Sequence, residues 1–305
     1  MKLLITGASG LLGLNLALEA SNVHTVVGVD QQKLVNTPFE MMNDNLLEPG
    51  AVERVLDSAK PDWMIHCAAL ANLEACEVNP ELARRLNTNL PQEVAAACKQ
   101  RGIRMVQIST DAVFDGTKND AYTENDVPNP PGIYAKTKMA AEQAVLKSNP
   151  DAIVARVNFY GFSPSGSRSL AEFFINNLSA GKPINGFTDI RFCPTFVGDL
   201  ANLLLAMLGK GLHGVYHTVS TKCMTKYDFG IALAKKFGLD ETLITPISVK
   251  ESSLIARRAH NLCLDTHKLS TALDTPVPVF STGLGQFYTQ FQQGYPQKIC
   301  SYAQK

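Results

Sequence analysis

Apolar runs and helix-compatible stretches alternate through the first half of the chain. Runs at 2–6, 24–29, 62–67, 103–108 and 152–156 read as strands. Helices fit about 12–20, 50–59, 80–100 and 134–148. Regular alternation of this kind predicts a parallel, doubly wound sheet. In such a sheet, ligands sit beyond the carboxyl ends of the strands. Residues 117–132 are rich in Pro, Asn and Asp and read as a loop that delivers Tyr134 into its helix. After Gly161 a Ser/Pro/Gly-rich stretch leads to a helix at about 169–180. A return strand is expected at 191–197, then a helix at 199–208, a strand at 214–219 and a helix at 226–237. Residues 276–280 lead into a last helix, and the tail after Gln292 reads as surface. The expected architecture is α/β, with the large sheet in 1–160 plus 191–215 and a smaller α/β lobe in 161–190 plus 216–305.

The first strand runs directly into Gly7-Ala8-Ser9-Gly10-Leu11-Leu12-Gly13 and then a helical stretch. In this spacing Gly7 makes a tight turn and Gly10 lets the backbone approach a pyrophosphate. Gly13 allows close packing of helix on strand. The helix N-terminus then faces the anion. The second strand ends at Asp30, seventeen residues past Gly13, about where an acid meets an adenosine ribose. Cys67-Ala68-Ala69 closes the third run, and its small residues let the chain pass close to a cofactor. Gly7, Asp30, Cys67 and Thr110 all fall at expected strand ends, where a dinucleotide would lie.

Tyr134 and Lys138 are one turn apart at the start of a helix, and Thr110 ends a strand. A phenol has an unperturbed pKa near 10, so it needs help to move a proton at neutral pH. An ammonium one turn away favours the phenolate by attraction. A hydroxyl from Thr110 can bond the same reacting oxygen. Together the three suit reversible reduction of a carbonyl.

The chain has 305 residues, 45% hydrophobic, enough for a sizeable core. Lys+Arg and Asp+Glu are both 28, so no basic balance points to nucleic acid. The apolar runs are too short and interrupted for a membrane span, and no signal-peptide pattern precedes the first strand. The seven cysteines are scattered and none forms C-x-x-C, so free thiols in a reducing cytoplasm are expected. No metal site is expected.

Gly7…Gly13, Ser109-Thr110-Asp111-Ala112-Val113-Phe114-Asp115-Gly116 and Tyr134…Lys138 resemble the extended short-chain dehydrogenase/reductase superfamily. His66-Cys67-Ala68-Ala69, Glu77-Val78-Asn79-Pro80-Glu81, Asn87 and Arg258-Ala259-His260-Asn261 are most similar to its dTDP-4-dehydrorhamnose reductase branch. That resemblance implies a Rossmann-type sheet with a smaller substrate-binding lobe, NAD(P)H as cofactor and a nucleotide sugar as substrate. It implies Thr110, Tyr134 and Lys138 as catalytic residues. Gly7, Ser9, Gly10, Leu11, Leu12, Gly13, Asp30, Asn45, Leu46, Cys67, Ala68, Ala69 and Asn87, with Tyr134 and Lys138, would hold the cofactor. Asp111, Asn158, Arg191 and Arg258 would meet the substrate, the two arginines through its diphosphate. Asp30 tilts the preference slightly to NADH, and Lys33 offsets it. The branch also contains the regulatory beta subunit of methionine adenosyltransferase, which Met224-Thr225-Lys226-Tyr227 and Arg191-Phe192-Cys193-Pro194-Thr195 resemble. A regulatory subunit and a sugar-nucleotide epimerase or dehydratase therefore remain alternatives. The reductases usually carry Tyr at Ala112, a Trp near Phe159 and Pro at Ala259; these departures touch sugar specificity, not the hydride path. The oligomeric state is open, a homodimer included.

Overall fold

The computed structural model describes residues 1–252 and 259–303. A seven-stranded parallel sheet runs in the order Gly214–His217, Ile153–Val157, Arg104–Thr110, Trp63–His66, Lys2–Thr6, Thr25–Asp30 and Glu40–Asn43. Each inner strand is largely apolar and buried on both sides, and successive residues serve opposite faces. Leu3, Ile5, Ile65, Val106 and Ala155 pack in a cluster with helices Leu11–Ala20 and Val197–Gly209. Leu4, Val27, Met64, Met105 and Val154 pack in another with helices Ala51–Ala59, Leu90–Arg101 and Ile133–Ser148. The chain leaves Lys2–Thr6 toward one edge, then returns to its other side at Trp63–His66. This reversal opens a crevice at the carboxyl ends of those strands.

Several expectations needed correction. The edge strand Glu40–Asn43 was not foreseen; it is short and only half-buried, so it carries no apolar run. The helix expected over 80–100 is three pieces: Pro80–Arg84, a π-helical segment Arg85–Asn89, and Leu90–Arg101. Pro91 has no N–H to give to the preceding turn, so the α ladder cannot continue through it. The stretch 191–197 holds two short strands in separate small sheets, Arg191–Phe192 and Thr195–Phe196. Gly214–His217 belongs to the large sheet and extends past the expected boundary at residue 215. The tail is not merely surface: helix Tyr295–Ser301 buries Ile299, and Tyr302 is buried as well. Tyr302 carbonyl accepts from Val35 N–H at 2.8 Å. Tyr295 donates its hydroxyl to Asn15 Oδ1 at 3.0 Å, on the helix that follows the glycine loop.

The cysteines are not all free. Cys223 and Cys263 form a disulfide, with Cα atoms 5.5 Å apart. Arg191–Phe192 is the middle of a three-stranded sheet whose outer strands are Met224–Thr225 and Asn261–Leu262. One cysteine precedes the first outer strand and the other follows the second, so the sheet brings them together. Among the described residues no helix is long and apolar enough to cross a membrane, and no group of three or more His, Cys, Asp and Glu could hold a metal.

Candidate active site

The glycine loop is built as its spacing implies. Gly7 has φ +66°, and a Cβ there would lie 2.8 Å from Ala68 N. At Gly13 a Cβ would lie 2.1 Å from Gly7 O, so any side chain would push the loop off its helix. Gly10 starts the helix with no side-chain cap, leaving the first N–H groups open to an anion. The hydroxyl of Thr6 accepts from Cys67 N at 3.1 Å and Ala68 N at 3.2 Å, tying the two strand ends together. Asp30 Oδ2 accepts from Ser9 N at 3.0 Å and Ser9 Oγ at 2.7 Å, while Oδ1 accepts from Gln31 N at 2.7 Å. Gly7, Asp30, Asn45, Leu46 and Ala68 line one open cleft. Leu11 and Leu12 bury their side chains in the core, while their N–H groups are the first of the helix. Asn87 is fully buried and serves as a tie: it accepts from Leu70 N at 2.8 Å and donates to Leu70 O and to Thr137 Oγ1.

Thr110, Asp111, Tyr134 and Asn158 come together at the next strand ends. Thr110 Oγ1 donates to Asp111 Oδ1 at 3.1 Å, and Asn158 Nδ2 donates to Asp111 Oδ2 at 2.7 Å. Burial pushes the Asp111 carboxyl up to about 6, against the hydrogen bonds from Asn158 and Thr110 and the charge of Lys226. Burial also pushes the Tyr134 phenol up to about 12, with the charge of Asp111 adding to it and a hydrogen bond with Thr110 opposing. The phenol is thus raised here, not lowered as its spacing from Lys138 implied. The Lys138 ammonium is engaged elsewhere: Nζ donates to Ile108 O at 2.6 Å. Burial brings Lys138 down to about 8, while Glu142 and Cys67 hold it up. Burial raises the Cys67 thiol to about 12, so it is inert packing beside the site.

Arg191 lies exposed on its short strand, paired with Thr225 and Asn261, and reaches none of these groups by a hydrogen bond among the described residues. Arg258 lies outside the described residues. Two groups were missed. Glu77 Oε1 accepts from Ile133 N at 2.9 Å and so caps the helix that carries Tyr134. Asp115 accepts from Thr117 N, Tyr122 Oη and Asn129 Nδ2, which knots the loop leading to that helix. These bonds hold the Asp115 carboxyl down at about 2. Its place in Phe-Asp-Gly was the available signal.

A glycine loop at a doubly wound switch point, with Thr110 two strands away and Tyr134 and Lys138 on the helix that follows, defines a protein of the short-chain dehydrogenase/reductase fold. The RmlD substrate binding domain family matches residues 1–293, and the chain belongs to that family. It is 31% identical over 94% of its length, and 97% of the relative's, to the probable low-salt glycan biosynthesis reductase Agl14 of Haloferax volcanii. It is 34% identical to methionine adenosyltransferase 2 subunit beta of Mus musculus, covering 98% of this chain and 87% of that one. Among solved structures, dTDP-4-dehydrorhamnose reductase from Bacillus anthracis in complex with NADP superposes with a TM-score of 0.86. That match has 25% identity and covers 95% of this chain and 99% of the other.

Proposed function

We propose that the protein is an NAD(P)H-dependent reductase of a keto sugar nucleotide. The observation that carries the reading is the hydrogen bond between Thr110 and Tyr134, with a buried Lys138 one turn on, in a sheet whose glycine loop has no room for a side chain at Gly7 or Gly13. The loop residues fit a dinucleotide: the uncapped helix start at Gly10 takes the pyrophosphate, and Asp30 and Asn45 border the ribose end of the cleft. When bound, NAD(P)H supplies the hydride. Tyr134 donates its proton to the carbonyl oxygen as charge develops there, and Thr110 bonds the same oxygen. Lys138, one helical turn beyond Tyr134 and buried, supplies the positive charge that would favour the phenolate once the proton has gone. Asp111 and Asn158 border the sugar, and residues 161–190 with the chain after His217 form the lobe that receives the nucleotide, with Arg191 and Arg258 for its diphosphate.

The test is oxidation of NADH and NADPH by the isolated chain across a panel of keto sugar nucleotides. Turnover with one of them supports the reading; none with any of them refutes it. A second reading, a regulatory subunit that binds cofactor without turning it over, is favoured by the 34% identity to the methionine adenosyltransferase beta subunit. It predicts cofactor binding with no oxidation on the same panel.

A further inference from the structure

Behind Lys138 lies a charged cluster that the reaction as proposed does not use. Glu142 follows Lys138 by four residues on the same helix, so the two share a face. Its carboxylate is 4% exposed and gripped from the neighbouring strand. Arg156 donates through Nε to Oε1 at 3.0 Å and through Nη2 to Oε2 at 2.8 Å. Ser109 Oγ donates to Oε1 at 2.5 Å. Arg156 in turn lies 5.0 Å from the centroid of the Phe114 ring, and its Nη1 meets His217 Nε2 at 3.4 Å. Arginine only donates, so Nε2 accepts and His217 Nδ1–H donates to Asp265 O at 3.0 Å.

We infer that Glu142 is a positioning residue that fixes the helix bearing Tyr134 and Lys138 onto the strand ending in Thr110 and keeps the buried Lys138 ammonium charged. Two successive turns make the attachment. Lys138 bonds the carbonyl of Ile108, and Glu142 takes the hydroxyl of Ser109, the residue next to Thr110. The electrostatic case is equally direct. The titratable groups facing Lys138 from the adjacent strand end are His66 and Cys67, both neutral near pH 7: burial takes His66 down to about 3 and Cys67 up to about 12. Tyr134, one turn before, is neutral as well, and Asp111 is held at the strand end by Thr110 and Asn158, so Glu142 is the principal negative charge acting on Lys138. An interior ammonium without a counter-charge would shed its proton. Arg156 and Ser109 hold that counter-charge in place.

The catalytic importance of this arrangement rests on the reductase reading, but its test does not. Protein carrying [13Cε]lysine is titrated by NMR with neither cofactor nor substrate, and Lys138→Met identifies the resonance. Glu142→Gln should lower the Lys138 midpoint by about one pH unit or more, the usual effect of removing a close opposite charge. Glu142→Gln leaves Arg156 unpaired and risks unfolding. The double variant Glu142→Gln/Arg156→Met removes both charges, and its Lys138 midpoint should also fall below wild type. Glu142→Asp, which keeps the charge, should stay nearer wild type than Glu142→Gln. An unmoved Lys138 midpoint in either folded Gln variant overturns the inference. Because substrate is absent, failure of the reductase reading would leave this result standing, and the reverse also holds.

Discussion

Asp111 is a carboxyl kept in the wrong medium, and the free energy stored there can be measured. It is 3% exposed, and burial lifts its pKa from 3.8 to about 6. Each tenfold change in proton affinity is worth about 1.4 kcal/mol, so full ionisation in the folded state costs about 3 kcal/mol relative to the unfolded chain. The sign follows from proton binding. Between those two pKa values the folded state holds the proton more tightly, so Asp111 helps stability below pH 4 and loses that contribution as pH rises through about 6. Asp111→Asn removes the ionisation while keeping an oxygen to accept from Asn158 and an amide to donate to Thr110. The variant should therefore exceed wild type by about 1 kcal/mol at pH 4.5 and about 3 kcal/mol at pH 7.5. Urea unfolding of both proteins at the two pH values, without cofactor, reads this directly. A stability difference that does not grow by roughly 2 kcal/mol between them would refute the assignment of the burial cost to Asp111.

The site and the disulfide can be probed in the same way. Tyr134→Phe should keep fold and cofactor binding and lose about 10²–10⁴ in turnover, checked by steady-state kinetics on a true substrate; near-normal turnover would remove Tyr134 as the acid. Lys138→Met should lower turnover and move the pH optimum upward, and an unmoved pH–rate profile counts against its role. Asp30→Ala should shift kcat/KM toward NADPH, since on the proposed reading the carboxylate would repel a 2′-phosphate; a strong NADPH preference already in wild type would contradict the role given to Asp30. Cys223→Ser should lose about 2–4 kcal/mol of stability under oxidising conditions, the usual worth of a bridge closing such a loop, and little in excess reductant.

What the sequence disclosed was whatever is local. Gly7 to Asp30 is one contiguous strand, loop, helix and strand, so each part announces the next. Tyr134 and Lys138 are legible because one helix face carries both. Glu142 continues that face, yet a Glu four residues after a Lys reads equally well as an exposed pair. Its partner gave the better signal: Arg156 is a charge inside a strand that is otherwise wholly apolar and buried on both faces. The Cys223–Cys263 bridge was illegible because a third strand, Arg191–Phe192, lies between its flanking strands and far from both in sequence. The raised Tyr134 phenol was hidden for another reason. Spacing reports the distance to Lys138, whereas burial and Asp111 set the balance.

The docking of Tyr295 on Asn15 bears on how this chain is made. Asn15 sits in the first helix, buried, with Nδ2 given to Leu11 O at 2.7 Å and Phe162 O at 2.9 Å, and Oδ1 satisfied by Tyr295. During vectorial synthesis this helix emerges with only the local Leu11 partner of that amide, and its two distant partners arrive with residues 162 and 295. Until then a polar group that the finished core encloses has water as its partner. The helix that follows the glycine loop is therefore secured only after residue 295 has been made, and a nascent chain arrested before Gln292 should present it only loosely assembled.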